Sequence, residues 1–351
     1  QTLSSFVPNV LVADLVKRGL MPPLDWKELT NLDRNIRDGV FRVYGYQQPN
    51  GGWGWYAPND FGLEANPHTT GYAVWSLAAM KRMGYEVDEG VYRRGRHQAL
   101  NLFRELARRA DAPKGASREK GEALDPAADA AFLLMCLAPT GEPIAGMLDS
   151  SADKALKGAW PGSHVLAMLA TAAAETHHAR GPALANRLEQ VALQRGGLAH
   201  WEGTKENWHG YAGGELVPTI HALKALCLLK PRSALITSGE AFLATQHQGY
   251  GWYSTWSTSQ AVSLLPYLAQ IRKFDWAGGL DLSASIQGGA SWSFKHLEKP
   301  GFRRWNSKEP RLGYQVLGEA CPVTLTAFGR GLLVWTYAYQ VPGSARAPMV
   351  G

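Results

Sequence analysis

Histidines are the first candidates for chemistry in this chain of 351 residues. Five of them lie between residues 177 and 221: His177, His178, His200, His209 and His221. None stands in a His-x-x-x-His spacing with a third ligand nearby, which is the pattern of a helical zinc site. We therefore predict no metal and no cofactor.

Acidic pairs suggest acid–base chemistry, and the chain offers Asp125 and Asp129. An isoprenoid cyclase would need an Asp-rich protonating motif, and Asp-x-Asp-Asp does not occur. A zinc prenyltransferase would need Asp, Cys and His ligands together. Cys227 and His221 share a predicted helix but have no obvious acidic partner.

A polysaccharide lyase would use tyrosine, histidine or arginine in a cleft, with tryptophans as sugar platforms. Four residues suit such parts: Tyr56, Trp201, His209 and Tyr253. An enzyme acting on polysaccharide or isoprenoid therefore stays open as an alternative. A deep polar cleft at the centre of the helices would favour such an enzyme, and a centre filled with apolar side chains would not.

The composition limits the kinds of partner that we expect for this protein. The net charge is +6, but the basic residues are scattered and no basic block is interleaved with aromatics, so we predict no nucleic-acid binding. No apolar run reaches the roughly 18–20 residues of a membrane span. The three cysteines, Cys136, Cys227 and Cys321, have no metal-type spacing and are predicted to be buried thiols.

A glycine-rich aromatic turn recurs along the chain. It reads Gly-Gly-Trp-Gly-Trp at 51–55, Gly-Gly-Leu-Ala-His-Trp at 196–201 and Gly-Tyr-Gly-Trp-Tyr at 249–253. Each turn precedes an apolar segment with a threonine near its start. A unit repeated in this way predicts stacked helical hairpins, and we expect the tryptophans to wedge the starts of the inner helices apart.

Apolar periodicity predicts eleven or twelve helices. Segments near 68–83, 127–137, 163–174 and 217–229 are apolar nearly all round, whereas those near 90–109, 144–157 and 232–245 are mixed. Buried and one-sided helices that alternate indicate an inner and an outer ring, an α/α toroid of antiparallel helices like that of terpenoid cyclases. The fold is thus predicted to be mainly α.

Other boundaries follow from local signals. Residues 3–18 are predicted as a helix with Pro8 in the first turn, and Asp25 as the cap of the next helix. Residues 182–194 and 256–270 are each predicted as one helix.

The sequence pattern changes after Gln270. Leu280, Leu282 and Ile286 alternate with polar residues, and segments 323–326 and 334–339 also predict strands. We expect an α unit at 1–272, a β segment at 273–341 and a linker or tail at 342–351.

Three stretches together resemble the thioester domain of the α2-macroglobulin and complement family, especially its bacterial members. They are the opening Gln-Thr-Leu-Ser-Ser-Phe-Val-Pro-Asn, the turn and Thr-x-Tyr-Ala helix at 47–73, and the turn at 249–255 followed by Ser-Thr-Ser-Gln-Ala. The tail at 317–323 is similar to the strand that returns to the family's CUB-like β domain. The resemblance covers nearly the whole chain, although the aromatic turn also occurs in terpene cyclases.

The resemblance implies a covalent protease trap rather than an enzyme. In the family, a Cys thiolate attacks a Gln side-chain amide, expels ammonia and forms a thioester, which later acylates a lysine amine or hydroxyl of the attacking protease. Carried over, Gln1 is the acyl donor, and the Cys of the family's Cys-x-Glu-Gln motif would precede residue 1 in a longer protein. The plain alternative is that Gln1 only begins a helix.

The resemblance also implies which residues and partners surround the thioester. Aromatics near the ring mouth, Trp53, Trp55 and Tyr72, are expected to shield the thioester from water. Some complement members use a histidine as an intermediate nucleophile, and the corresponding loop near 111–123 contains none. This departure favours direct transfer to amines. The expected partners are target proteases and further macroglobulin-like domains, at a periplasmic or extracellular location, and anchoring of the full-length protein to a membrane stays open.

Overall fold

A computed structural model describes residues 2–21, 24–56, 58, 65–112, 125–203, 214–247, 251–252, 254–272, 280–286, 291–294 and 323–329. Backbone contacts divide the chain into two compact units, Gln1–Lys273 and Phe274–Gly351. The first unit is mainly helical, as predicted. Among the described residues, no helix combines the length and the apolar character needed to cross a membrane.

The described part of the first unit contains twelve α-helices. They are α1 Thr2–Lys17, α2 Trp26–Gly45, α3 Pro67–Arg82, α4 Glu89–Asp111, α5 Pro126–Leu137, α6 Ala145–Leu156, α7 Ser163–Glu175, α8 Gly181–Gln190, α9 Leu216–Leu229, α10 Ala234–Thr245, α11 Thr255–Val262 and α12 Leu265–Arg272. A 3-10 turn follows α5, and a short hairpin, β1 Leu193–Arg195 and β2 Leu198–His200, follows α8.

Capping side chains explain where several helices begin. Asp25 accepts from the Glu28 amide while the Glu28 carboxylate accepts from the Asp25 amide, so the predicted cap of α2 is a full capping box. Asn66 accepts from the amides at the start of α3, where Pro67 has no N–H to satisfy.

The predicted alternation of buried and one-sided helices is confirmed. Nearly every residue of α5, and most of those in α3, α7 and α9, is buried, whereas α2 and α4 bury one stripe and expose the rest. The odd-numbered helices contact one another in the order α1, α3, α5, α7, α9, α11 and back to α1. The even-numbered helices each pack on one or two of these.

Three predicted boundaries are wrong. Pro8 lies beyond the first turn, because α1 already begins at Thr2; the helix continues although Pro8 cannot donate to residue 4. The helix predicted over 182–194 ends at Gln190, and Leu193–Arg195 pair as a strand across Gly196 and Gly197. Both glycines have positive φ, which a two-residue hairpin turn needs.

The third error is the single helix predicted over 256–270. In the structure this segment forms two helices, α11 and α12, which are separated by Ser263 and Leu264. Pro266 lies at the start of α12, where its missing N–H costs nothing, and proline disfavours the helical conformation of the residue before it. The sequence therefore contained a stop signal that apolar periodicity masked.

The second unit contains a three-stranded antiparallel sheet among its described residues. β3 Leu280–Ile286 lies between β4 Ser291–Phe294 and β5 Val323–Gly329. The strands predicted at 280–286 and from Val323 are confirmed, and β4 was not predicted. The strand expected at 334–339, most of the tail at 317–323 and Cys321 lie outside the described residues.

Candidate functional site

The predicted acyl donor, Gln1, lies outside the described residues, and α1 begins at the next residue. Of the loop near 111–123, which the resemblance relates to the transfer step, residues 113–123 lie outside them as well. The site is therefore described from the aromatic turns and from the helices that they join.

The aromatic turns fasten helices together in one repeated way, which we name the tryptophan clamp. The backbone amides of Trp53, Trp201 and Trp252 donate to threonine hydroxyls over 2.9–3.0 Å, in the pairs Trp53–Thr70, Trp201–Thr219 and Trp252–Thr258. Each threonine is the fourth residue of α3, α9 or α11.

The indole N–H completes each clamp. The three indoles donate over 2.7–2.9 Å to carbonyls two residues before the end of the preceding helix, in the pairs Trp53–Val43, Trp201–Leu188 and Trp252–Leu243. One tryptophan thus joins the end of an even-numbered helix to the start of the next odd-numbered one. The predicted wedge between inner helices is corrected: these residues tie helices instead of separating them.

The structure does not bring the three predicted shielding residues into one cluster. Trp53 is 2% exposed and packs against α4, where a Cβ on Gly95 would lie 2.6 Å from its ring. Tyr72 is 3% exposed and donates or accepts a 2.5 Å hydrogen bond with Ser259 on α11. Trp55 is 51% exposed. Of the three, Trp55 alone presents most of its side chain to solvent.

Aromatic rings from four odd-numbered helices meet in what we name the central aromatic cluster: His68, Tyr72, Phe132, His221 and Trp256. The ring centroids lie 4.8 Å apart for His68 and Phe132 and 5.1 Å apart for Tyr72 and Trp256. The cluster brings side chains of α3, α5, α9 and α11 into contact.

Two histidine–aspartate pairs join neighbouring helix starts. His68 Nε2 lies 2.8 Å from Asp129 Oδ1, and His164 Nε2 lies 3.3 Å from Asp125 Oδ2. The His164 side chain is fully buried, whereas His68 and Asp129 keep 14% and 12% of their side-chain surface exposed. The His68 ring is therefore the more exposed of the two histidines.

A cavity of about 20 Å³ adjoins the cluster and is lined by Tyr72, Phe132, Cys136, Lys224 and Gln260, among others. It has room for about one water molecule. Burial lowers the pKa of Lys224 to about 7 and raises the pKa of Cys136 well above its usual range. Cys136 and Cys227 are buried free thiols, as predicted.

His221 is also fully enclosed. Its pKa is lowered well below the usual value, first by burial and then by the charges of Lys224, His164 and His68. His221 therefore lies within electrostatic range of Lys224, His164 and His68.

Among the described residues, one group has the spacing of possible metal ligands. Atoms of His200, Glu202 and Glu215 lie within 4.8 Å of one another. Both glutamates are exposed, and His200 Nε2 lies 3.6 Å from Glu215 Oε1, the geometry of an ordinary ion pair. We assign no metal to it.

Sequence reasoning weighed Asp129 only as part of an acidic pair and did not single out His68. The repeated unit of aromatic turn and helix does mark the position of His68. Aligned on the clamp threonines, His68 and Trp256 occupy the same second position of α3 and α11. The partnership of His68 with Asp129 spans 61 residues and could not be obtained from local periodicity.

Comparison with known proteins gives a consistent result. No protein-family model matches the chain. Over 95 residues, 27% of this chain, it is 37% identical to the α2-macroglobulin of Thermotoga maritima and spans 5% of that protein's length. The similarity in sequence is therefore confined to part of the chain.

The fold is similar to solved bacterial structures over most of the chain. A native Escherichia coli α2-macroglobulin fragment, from domain MG7 to the C-terminus, matches 94% of this chain and 44% of its own length, with a TM-score of 0.58 and 18% identity. Salmonella α2-macroglobulin reacted with methylamine also matches 94% of this chain and 18% of its own length, with a TM-score of 0.58 and 17% identity.

The chain thus spans less than half of each structure that it resembles. At these identities the structural similarity establishes the fold, and the T. maritima match adds the similarity in sequence. The relatives of this chain, in sequence and in fold, are bacterial α2-macroglobulins, as the motifs predicted.

Proposed function

We propose that the chain is the thioester-domain region of a bacterial α2-macroglobulin-like protease trap. Gln1 is its acyl donor, and a cysteine upstream in the full-length protein is the thiol partner. The main support is the closed contact order of the odd-numbered helices, in a fold similar to that of bacterial α2-macroglobulins. The region at 1–272 is then an α/α toroid, 273–341 part of a CUB-like β domain and 342–351 a linker or tail.

The relatives also support the kind of partner. Solved structures with this fold include E. coli α2-macroglobulin activated by porcine elastase and by trypsin. For this protein we propose covalent capture of an attacking protease through its lysine amines, at a periplasmic or extracellular location. The domain is then an inhibitor module and not an enzyme, joined in the full-length protein to other macroglobulin-like domains.

The centre of the helices favours a trap over a toroid enzyme. The central aromatic cluster lies there, and the cavity of about 20 Å³ that Tyr72 and Phe132 help to line is far smaller than the roughly 300–1,000 Å³ of a typical ligand site. Polysaccharide and isoprenoid chemistry is therefore not favoured.

Methylamine tests the proposal directly on the full-length protein. The wild type should lose the mass of one ammonia when the thioester forms. It should then gain the mass of one methylamine at Gln1 and release one thiol on treatment. The matched variant Gln1→Ala should do neither. An untreated wild type that carries the full amide mass and a free cysteine would contradict the covalent mechanism.

Shielding by the aromatic turn needs a separate measurement. Trp55→Ala should accelerate spontaneous loss of the thioester in water, because it removes apolar surface near the turn. Trp26→Ala is the control, since Trp26 is equally apolar and 79% exposed on α2. Equal hydrolysis rates in the two variants would exclude a shielding role for Trp55.

A further inference from the structure

We propose that the outward face of α4 is a docking surface for an anionic phospholipid membrane. We name this surface the arginine face, and its residues are Arg93, Arg94, His97, Asn101, Arg104 and Arg108. The contact belongs to the helical unit and is independent of Gln1 and of the proposed function. Its support is the exposure of four arginines in one row, their lack of anionic partners and the charge of the helix.

The helical period places the arginine face opposite the buried side of α4. The buried residues follow one another at intervals of three or four and are Tyr92, Gly95, Ala99, Phe103 and Leu106. The arginine face lies about half a turn away from that stripe, and its four arginines are all exposed. From Arg93 to Arg108 the face extends about 22 Å at the usual rise per residue.

The arginines of this face have no anionic partner among the described residues. Arg94 donates to Gln47 Oε1 over 2.7 Å, and Arg104 donates to Asn101 Oδ1 over 3.2 Å. Both acceptors are neutral amides. The other two arginines of the face form neither a hydrogen bond nor an ion pair with the part of the chain that the structure describes. Four positive charges therefore stand in solvent without neutralisation.

The remaining charges of α4 are paired. Arg96 Nη1 lies 2.8 Å from Glu142 Oε1, and Arg109 Nη2 lies 3.0 Å from Glu105 Oε1. The other two carboxylates of the helix, at its first and last residues, pair with lysines of α3 and α6. The two arginines that flank the buried stripe thus have carboxylate partners, whereas the four that point outward do not.

The charge of α4 also differs from that of its counterparts. With six arginines and three carboxylates it carries a net charge of +3, His97 not counted. The other even-numbered helices, α2, α6, α8, α10 and α12, carry +1, −1, 0, −1 and +1. Like charges four residues apart, such as Arg104 and Arg108, destabilise a helix. The arrangement therefore opposes helix stability, which indicates a role outside the fold.

An extended layer of phosphates fits the arginine face better than a small anion does. Four guanidinium groups spread over about 22 Å exceed the roughly 8 Å over which exposed charges interact at physiological salt, so one small anion cannot reach them all. Arginine binds phosphate oxygens with two parallel hydrogen bonds. A membrane that contains anionic phospholipid offers many such phosphates in one plane.

The composition of the face favours a membrane over a protein partner. Specific protein interfaces have an apolar core from which charged residues are depleted. The arginine face contains no apolar residue. Docking is therefore electrostatic, without insertion of side chains into the bilayer, and it should weaken as salt screens the charges.

The test uses the full-length protein and vesicles of phosphatidylcholine, alone or mixed with phosphatidylglycerol. Cosedimentation measures binding in about 50 mM and about 500 mM NaCl. The wild type should bind the mixed vesicles at low salt, dissociate at high salt and not bind phosphatidylcholine alone. Each basic residue near an anionic surface strengthens binding about fivefold, so the variant described next should bind the mixed vesicles at least about 20-fold more weakly. That variant combines Arg93→Gln, Arg94→Gln, Arg104→Gln and Arg108→Gln.

The matched control removes the same charge from four exposed sites of α2 and combines Lys27→Gln, Arg34→Gln, Arg37→Gln and Arg42→Gln. It should bind the mixed vesicles nearly as well as the wild type. Circular dichroism checks that both variants fold. A double variant, Arg104→Gln with Arg108→Gln, should show a smaller loss of binding, and it decides the matter if the variant with four changes in α4 does not fold.

Two results would overturn the assignment of the arginine face to a membrane. The first is equal binding of the α4 and α2 variants to the mixed vesicles, because net charge and not the face would then decide binding. The second is a wild type that does not bind the mixed vesicles but binds a soluble polyglutamate peptide, with loss of that binding in the α4 variant. The partner would then be an acidic polypeptide. Neither result bears on the methylamine test of the proposed function.

Discussion

The backbone amide of Trp53 donates to Oγ1 of Thr70 over 2.9 Å, and both residues are buried. This bond is one half of the first tryptophan clamp, whose other half reaches Val43 at the end of α2. The clamp therefore sets the position of α3, the helix that also carries His68.

Replacing Thr70 by valine keeps the shape and β-branching of the side chain but removes the hydroxyl. The Trp53 amide is then buried without its partner, so Thr70→Val should lower the free energy of unfolding by about 1–3 kcal/mol in urea denaturation. Thr30→Val is the control, because Thr30 is exposed and its hydroxyl bonds only within α2; its effect should stay within about 0.5 kcal/mol. Equal losses would argue against the clamp.

Trp201→Phe tests the second clamp through its indole. The change leaves the Leu188 carbonyl without its 2.9 Å donor and opens a cavity at a fully buried site. We expect a loss of about 2–4 kcal/mol in the free energy of unfolding of the helical unit. Trp26→Phe, at a site that is 79% exposed, should be nearly neutral. Similar denaturation midpoints for both variants would contradict this expectation.

Lys224 should destabilise the fold in a pH-dependent way. Burial lowers its pKa from 10.5 to about 7, so between these values the unfolded chain binds the proton more readily and stability rises with pH. Below about pH 7 both states are protonated and the full cost remains. Lys224→Met should therefore raise the free energy of unfolding by more than about 1 kcal/mol at pH 6, and by less at pH 9.

The control for Lys224 is Lys157→Met at the exposed C-cap of α6. It should change stability by a similar small amount at both pH values. A gain from Lys224→Met that is the same at pH 6 and pH 9 would show that packing, and not the buried charge, causes the effect.

Gly95 leaves room for the Trp53 ring beside α4. A Cβ at this position would lie 2.6 and 2.8 Å from two atoms of the Trp53 ring. Gly95→Ala should therefore lower the free energy of unfolding by more than about 1 kcal/mol. Gly146→Ala on α6 meets nothing within 4 Å and should be neutral or stabilising, because alanine favours helices. Calorimetry compares the stability of the two variants. No loss of stability in Gly95→Ala would show that the Trp53 ring does not pack against Gly95.

Most of the helical frame could be predicted from the sequence because its signals are local. The capping box at Asp25 and the apolar run of α5 each lie within a few residues. The errors arose where two local signals competed. The apolar periodicity continues on both sides of Pro266, and this hid the break between α11 and α12. The helical spacing of residues 182–194 extends into the hairpin that turns at Gly196 and Gly197.

The candidate site was less accessible to the same reasoning. The motif at Gln1 came from a family resemblance, whereas the His68–Asp129 pair depends on how α3 and α5 align in space. The role of Trp53 was also underestimated, since a glycine-rich aromatic turn does not reveal which two helix ends its indole and amide will reach.

The three clamps span different lengths of chain. Their amide–hydroxyl bonds join residues separated by 17, 18 and 6 positions, yet the three distances agree within 0.1 Å. Helix spacing is thus decoupled from loop length, because the tryptophan reaches both helices by itself. The length of chain between a clamp tryptophan and its threonine can therefore change in this protein without altering how the two helix ends are joined.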